Sequence, residues 1–388
     1  MKNMSKLRER LSINRLTSIR RYLHQHPELP EREFGTAQYI AGKLRELGFT
    51  NLLEGVGGTG LIAIFDTGQE GPTVLFRSEL DALPIQESND FEYRSNKDNV
   101  AHKCGHDGHM ATLLGLAGAI SHKPPRAGRV LLLFQPAEEI GAGAERILED
   151  PRFEKLYPID YAFAFHNLPG FPLGEVLIRK GPFTAAVQSI IIRLEGKTAH
   201  AGEPENGANP ALAIADILQN ARKMSIPEPE EEDFAILTPI HVNMGEVAYG
   251  VSAGYGEVHL TIRTWTEAAM RQLSARLIQY LGDLALRHRL RLETEWTNVF
   301  RTNRNDEEAV DIIQQAAEDC GLAVTNRSHP FKWGEDFGAF TQRFRGAMFG
   351  LGAGENCPAL HNPDYDFPDE LLGTGIKIYQ RIMEIILE

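Results

Sequence analysis

Residues 102–141 read HKCGHDGHMATLLGLAGAISHKPPRAGRVLLLFQPAEEIG, and this stretch decides the fold class. Its apolar segment from His109 to Ile120 is long and rich in Ala, Leu and Gly, which favours a helix. The run Arg129–Phe134 is short, apolar and bounded by turn residues, as is typical of a buried strand. Similar runs at Gly60–Phe65 and Thr73–Phe76 precede it. Strands that alternate with helices predict an α/β domain whose central sheet is flanked by helices.

The pattern of the chain changes near residue 183. From there it reads strand, helix, strand, strand, helix, which predicts a compact α+β unit. After about residue 296 it returns to short strands and helices and ends in a helix. We therefore predict a discontinuous domain formed by residues 1–182 and 297–388, interrupted by a smaller domain at residues 183–296. Leucines at helical spacing also predict a first helix over about residues 5–24.

Composition and charge exclude several classes of protein. The 388 residues carry 40 Lys and Arg against 53 Asp and Glu, a formal net charge of −13. Because a nucleic-acid binder needs a basic face, we expect no nucleic-acid partner. No apolar run approaches the roughly 18–20 residues of a membrane span, so we expect no membrane partner. Three cysteines and a charged N-terminus without an apolar signal core indicate a cytoplasmic protein.

The motif CGHDGH carries candidate metal ligands. Cys104 and His106 are separated by one Gly, which lets the backbone turn so that both side chains converge. A thiolate and an imidazole are strong ligands for zinc and similar divalent ions. The alternative is a polar loop whose histidines only cap the next helix. We expect His102 and His109 to be structural residues.

Two adjacent carboxylates and two further histidines extend this set. Glu138 and Glu139 come directly after a strand, where the active-site residues of open α/β sheets concentrate. One of them can bind a metal while the other faces a bound water, although a solvated acidic loop is an equally good interpretation. His166 in AFAFHNLPG and His361 in CPALHNPDYDF are each followed by Asn and then a proline. This repeated arrangement makes both histidines candidates for one site.

Together these segments resemble the M20 family of metallopeptidases. The matching motifs are RSELDALP, CGHDGH, FQPAEE, HNLPG and LHNPDYDF, in the expected order between the LHQHPELP segment and the C-terminal helix. They are most similar to the amidohydrolase branch, with its hippurate, N-acyl-amino-acid and auxin-conjugate hydrolases. The resemblance implies a di-metal catalytic domain interrupted by a smaller α+β dimerisation domain, or lid, and a homodimer formed through that lid.

The resemblance also implies roles for individual residues. It makes Glu138 the general base, and it makes His200 in GKTAHA the group that steadies the oxyanion in a partner subunit's site. Arg263 in TIRTW would pair with a substrate carboxylate. An ordinary surface residue is the alternative for both His200 and Arg263. The implied ligands of two divalent ions are Cys104, His106, Glu139, His166 and His361. Zinc is the first expectation, with manganese, cobalt and nickel open.

Two positions depart from the family pattern and bear on the substrate. Glu79 stands where the family has Asp, and Gly250 stands where it has an Asn that helps to hold the substrate. We expect hydrolysis of the amide bond of N-acyl amino acids or similar small amides. A carboxypeptidase or dipeptidase acting on short peptides is the alternative enzyme. A catalytically silent protein that binds a small molecule on the same scaffold is the alternative from another class.

Overall fold

A computed structural model describes residues 12–388 as a mixed α/β protein. The strands in this part of the chain are β1 (Leu52–Val56), β2 (Gly60–Asp66), β3 (Thr73–Glu79), β4 (Arg129–Gln135), β5 (Tyr161–Leu168), β6 (Val176–Ile178), β7 (Gly181–Pro182), β8 (Ala186–Glu195), β9 (Ala199–His200), β10 (Ala235–Met244), β11 (Val251–Ser252), β12 (Tyr255–Thr264), β13 (Arg291–Phe300), β14 (Arg304–Asn305), β15 (Val324–Asn326) and β16 (Arg345–Gly352). The α-helices are α1 (Ile13–Gln25), α2 (Phe34–Glu46), α3 (His106–His122), α4 (Gly143–Glu149), α5 (Pro151–Glu154), α6 (Ala211–Met224), α7 (Glu267–His288), α8 (Glu307–Asp319), α9 (Gly338–Thr341) and α10 (Leu371–Leu387).

The described chain divides into two compact units. The larger unit contains the residues up to Phe183 together with Asn303–Ser328 and Glu335–Glu388. The smaller unit contains Thr184–Thr302 and His329–Gly334. The helix expected at about residues 5–24 is described from Ile13 onward as α1, and the earlier part of that expectation lies outside the described residues. No helix in residues 12–388 is long and apolar enough to span a membrane.

The larger unit is built around an eight-stranded sheet with the strand order β1-β2-β4-β3-β5-β16-β6-β15. Strand β3 is parallel to β4 and β5, and β5 is parallel to β16. All of β3 and nearly all of β4 are buried, as expected for strands with both faces covered. Helices α1 and α10 pack against α3, which packs against β3. The carboxyl ends of β3, β4 and β5 therefore meet at one edge of the sheet, and helix α3 packs beside them.

Helix α3 begins three residues earlier than the sequence predicts. Gly105 precedes the helix with a left-handed φ of 97°, and a Cβ at this position would lie 2.4 Å from the Asn167 Oδ1 atom. The polar residues ahead of His109 conceal this start, because polar residues before an apolar run are typical of a loop. Here these residues are instead buried inside the protein. Strand β5 likewise continues through His166, which the sequence pattern places after the strand.

The smaller unit contains a four-stranded antiparallel sheet with the order β10-β12-β8-β13. The buried residues of β8 and β12 alternate along each strand and form a core with helices α6 and α7. The fourth strand, β13, follows the last helix of this unit and is not part of the sequence-based pattern. Strand β10 lies at one edge, and its residues from Thr238 to Met244 are exposed.

Candidate metal centre

The structure brings together the side chains that the sequence analysis proposes as metal ligands. The sulfur of Cys104, just before α3, lies 3.4 Å from the Nε2 atom of His166 in β5. Glu139, which follows β4, places one carboxylate oxygen 3.8 Å from His106 Nε2 and the other 3.7 Å from His361 Nε2. Four of these side chains are buried, whereas that of His361 is 53% exposed. The five candidate ligands therefore form one cluster with His361 at its rim.

Backbone carbonyls fix the orientation of two of the histidines. The Nδ1 atom of His106 lies 2.9 Å from the carbonyl oxygen of Asp81, and the Nδ1 atom of His166 lies 2.9 Å from that of Asn167. A carbonyl oxygen can only accept, so Nδ1 carries the proton in both rings. The Nε2 atom of each ring therefore keeps its lone pair and faces the cluster. This is the form in which a neutral imidazole binds a metal.

Buried polar atoms without partners, together with the types of donor present, show that these residues fit a metal site. The His106 Nε2 and Glu139 Oε1 atoms are buried and have no hydrogen-bond partner among residues 12–388. Such atoms are rare in folded proteins and indicate a missing partner. One thiol, three imidazoles and a carboxylate also form a donor set that suits zinc and similar divalent ions.

The ionisable groups of the cluster have pKa values displaced toward their neutral forms. Burial, with the nearby Glu335 and Glu139 carboxylates, raises the pKa of Glu138 well above its usual range. Burial and the Asp81 carboxylate raise the pKa of Glu139 in the same way. Burial lowers the pKa of His166 to about 3. These shifts describe a dry site with excess negative charge, which a bound cation would compensate.

Glu138 lies beside the candidate ligands. Its Oε2 atom is 3.9 Å from His106 Nε2, and the residue is 5% exposed. A raised pKa makes an ionised carboxylate a better acceptor for a proton from water. The position and the electrostatics of Glu138 therefore suit the general base that the sequence analysis assigns.

A buried network around Arg77 supports the cluster from the sheet. The guanidinium contacts Glu79 and donates to Glu335 at 2.9 Å and to Asp336 at 2.7 Å. Glu79 also contacts His109, whose Nδ1 atom lies 2.7 Å from a Glu79 oxygen. Glu79, where the family pattern has Asp, thus joins Arg77 to the ring of His109 rather than facing an open site.

The expectation that His109 and His102 are structural stays a prediction, and the two rings have different surroundings. Both ring nitrogens of His109 have partners, because Nε2 lies 2.6 Å from the Asn167 Oδ1 atom. The ring of His102 is buried, and within the described part of the chain its nitrogens have no hydrogen-bond partner. Burial lowers the pKa of His102 to about 4, which keeps the ring neutral. Sequence patterns do not reveal the supporting residue Asn167, although it follows His166 in the HNLPG motif.

His200 and Arg263 belong to the smaller unit. His200 ends strand β9 and is exposed, and its Nδ1 atom accepts the Gly202 N–H at 3.0 Å. Arg263 lies on β12 and donates to the Lys332 carbonyl at 2.7 Å, while burial lowers the pKa of its guanidinium. Since the Nδ1 atom of His200 accepts a hydrogen bond, the proton of the neutral ring is on Nε2, which is free to donate.

A buried set of thiol, imidazole and carboxylate donors at the edge of an α/β sheet, with a second Glu beside it, defines a metal-dependent hydrolase. Residues 75–385 match the model of peptidase family M20/M25/M40, and the chain belongs to this family. It is 32% identical over 338 residues to an N-acetyl-L-cysteine deacetylase of Bacillus subtilis, covering 86% of this chain and 80% of that protein. It is 30% identical over 366 residues to a hippurate hydrolase of Campylobacter jejuni, covering 94% of each.

A solved structure supports the same assignment. A dinuclear metal-binding peptidase of the M20 family from Bacillus subtilis superposes with a TM-score of 0.82 at 26% identity, covering 97% of this chain and 98% of that one. The predicted fold class, family and enzyme class are therefore confirmed, and membership of the family implies two divalent metal ions. The role of each site residue remains a prediction.

Proposed function

We propose that the protein hydrolyses the amide bond of N-acyl amino acids in the cytoplasm, with two zinc ions as its first-choice metals. The observation that carries the proposal is the burial of Glu138 beside the Nε2 atom of His106, which has no hydrogen-bond partner in the portion of the chain that the structure describes. The names of the relatives support the substrate class, since they include N-acetylcysteine and N-acetyldiaminopimelate deacetylases and a hippurate hydrolase.

The proposed chemistry divides between the metal ligands and Glu138. Cys104, His106, Glu139, His166 and His361 would hold the two ions. When bound, the ions would acidify a water and polarise the scissile carbonyl. Glu138 would accept a proton from the attacking water at its carboxylate and deliver the proton to the departing amine. Arg263 would pair with the carboxylate of the substrate's amino-acid part.

His200 would complete the site of a second copy of the chain. Its Nε2–H group is exposed and can donate to the oxyanion that forms on the substrate. The smaller unit also carries exposed apolar side chains on and after the edge strand β10. We call these residues the β10 patch: Ile240, Val242, Met244, Val247 and Tyr249. An unpaired strand edge beside apolar side chains favours association, so we propose that a homodimer forms through this patch.

The loop that contains Gly250 bears on substrate choice. The φ angle of Gly250 lies outside the left-handed region, and a Cβ at this position would meet no atom within 4 Å. The backbone therefore does not require glycine there, and a residue with a Cβ would fit at its first side-chain atom. We propose that the missing side chain leaves room for a substrate different from that of relatives with the family's Asn.

A panel of substrates tests this function. The metal-loaded protein is assayed on N-acetyl, N-benzoyl and longer N-acyl amino acids and on dipeptides, with zinc, manganese, cobalt and nickel compared. We expect the highest kcat/KM on an N-acyl amino acid. Faster turnover of a dipeptide would favour a peptidase, the class to which the similar dinuclear protein from Bacillus subtilis belongs. Binding of N-acyl amino acids without turnover under any metal would favour the silent binding protein.

A further inference from the structure

Glu33 stands at the N-cap position of helix α2, but its side chain does not cap that helix. Glu28 does so instead, because its carboxylate accepts the Thr36 N–H at 2.8 Å and the Thr36 hydroxyl at 3.0 Å. Glu33 is fully buried, and its two oxygens accept the Thr59 hydroxyl at 2.7 Å and the Ala137 N–H at 2.9 Å. The carboxylate of Glu33 is therefore used for contacts far along the chain.

The contact with Ala137 lies at a strained point of the backbone. Ala137 has a φ of +52°, which is a left-handed backbone conformation that residues other than glycine rarely adopt. The next two residues are Glu138 and Glu139, so the conformation of Ala137 sets the direction in which both carboxylates leave β4. The N–H of Glu139 is held in turn by Asp81 at 2.9 Å. Two buried acids thus bind alternate amides of this short loop.

We propose that Glu33 is a positioning residue that holds Ala137 in its left-handed conformation and thereby aims Glu138 and Glu139. Residues kept in rare backbone conformations persist only where the surrounding structure fixes them. A hydrogen bond to a carboxylate is among the stronger kinds, and here it is shielded from water. The inference rests on the proposed function for the roles of Glu138 and Glu139. The contact itself is independent of those roles.

Two conservative substitutions separate the effect of the length of the Glu33 side chain from the effect of its charge. Glu33→Asp keeps the charge but shortens the side chain, so one carboxylate can no longer reach both Thr59 and Ala137. Glu33→Gln keeps the length, and its amide oxygen can still accept the Ala137 N–H while its NH₂ group donates to Thr59. We expect Glu33→Asp to lower kcat by about 30-fold with little change in KM, because small displacements of catalytic groups are costly. We expect Glu33→Gln to stay within about threefold of wild type.

A glycine at position 137 tests the mechanism directly. Glycine adopts the left-handed conformation without strain, so Ala137→Gly removes the need for the hydrogen bond. In a double-mutant cycle, Glu33→Asp should then cost less than about threefold in kcat when it is introduced into Ala137→Gly. A role of Glu33 in general stability would not be rescued in this way.

The experiment also measures zinc affinity, by competition with a chelator, and thermal stability. We expect Glu33→Asp to weaken zinc binding about tenfold, as do other changes behind a metal ligand, and Ala137→Gly to restore most of it. Glu28→Ala is the matched control, because it removes the cap of α2 and should lower stability while it leaves kcat and zinc affinity unchanged. Zinc affinity tests the inference even if no amide substrate is found.

The inference is overturned by any of three results. In the first, Glu33→Gln lowers kcat and zinc affinity as much as Glu33→Asp does, which would show that the charge of Glu33 matters rather than the length of its side chain. In the second, Glu33→Asp lowers kcat by the same factor whether residue 137 is Gly or Ala. Glu28→Ala could lower kcat and zinc affinity as much as Glu33→Asp does, which would show that both carboxylates act through stability alone.

Discussion

The metal centre of the larger unit and the region around His200 in the smaller unit are built in opposite ways. In the metal centre, Arg77 and Glu79 are buried and are joined to one another and to His109. In the other region, His200 is exposed, and the contact that fixes its ring is one backbone N–H from Gly202.

The two regions differ in how far their side chains are fixed in place before a ligand or a partner binds. A side chain that is locked by buried partners has already lost its conformational freedom, so it can act without further ordering. An exposed ring such as that of His200, held by a single hydrogen bond, is held less firmly until another surface covers it. The exposed β10 patch in the same unit, with Val247 91% and Tyr249 95% exposed, suggests a second copy as that surface.

The largest effect should come from the general base of the metal centre. Glu138→Gln removes the proton acceptor but keeps the shape of the side chain, so kcat should fall by at least about 10³-fold. Metal content, measured by elemental analysis, should stay unchanged because Glu138 is not among the five proposed ligands. Glu149→Gln, an exposed residue of α4, is the control. An active Glu138→Gln variant would contradict the assigned mechanism.

Removing the buried network that supports the metal centre should also lower the stability of the protein substantially. Arg77→Met leaves the Glu79, Glu335 and Asp336 carboxylates buried without their shared cation. Removing one partner of such a buried group typically costs about 3–5 kcal/mol of stability. Urea denaturation of the metal-loaded protein measures this loss. Arg146→Met breaks an exposed ion pair with Glu31 and should cost at most about 1 kcal/mol. Equal losses would mean that the network does not stabilise the centre.

The sequence predicts the components of the metal centre better than it predicts their supports. Short motifs contain Cys104, His106 and Glu139, because chemistry restricts which residue types can occupy such positions. The confirmed α/β fold class likewise follows from alternating apolar runs. Glu33 has no such signal, because its contact with Ala137 spans 104 residues of sequence. Only the folded chain shows that Glu28 has taken over the capping role.

The next prediction concerns whether His200 of the smaller unit acts in the metal centre of a second copy of the chain. His200→Ala should lower kcat by about 100-fold or more if it removes an oxyanion donor. Mixing this variant with Glu138→Gln, under conditions that exchange subunits, should recover up to about a quarter of wild-type activity, because half of the dimers then contain one complete site. His288→Ala in the same unit is the control. A mixture no more active than its components would contradict action across the dimer.

The smallest expected effect is a change in how protein stability depends on pH. It involves a second buried network beside α3. His24 is fully buried, and its ring contacts Asp107 at 2.9 Å and Glu87 at 3.0 Å. Burial and the nearby Arg20 lower the pKa of His24, but hydrogen bonds to the two carboxylates outweigh them and raise it to about 9. A third carboxylate, that of Asp366, lies 3.8 Å from the ring.

The raised pKa of His24 fixes the sign of the effect. The folded protein binds the proton more tightly than the unfolded chain does, so the stabilisation is fully present below pH 6.5 and is lost as the pH rises through about 9. His24→Gln should therefore destabilise the protein by about 2–3 kcal/mol more at pH 6 than at pH 9.5. Urea denaturation of both proteins at several pH values measures this difference, with His26→Gln as the control from the same segment. A loss that stays constant with pH would show that His24 stabilises the fold by packing rather than by its charge.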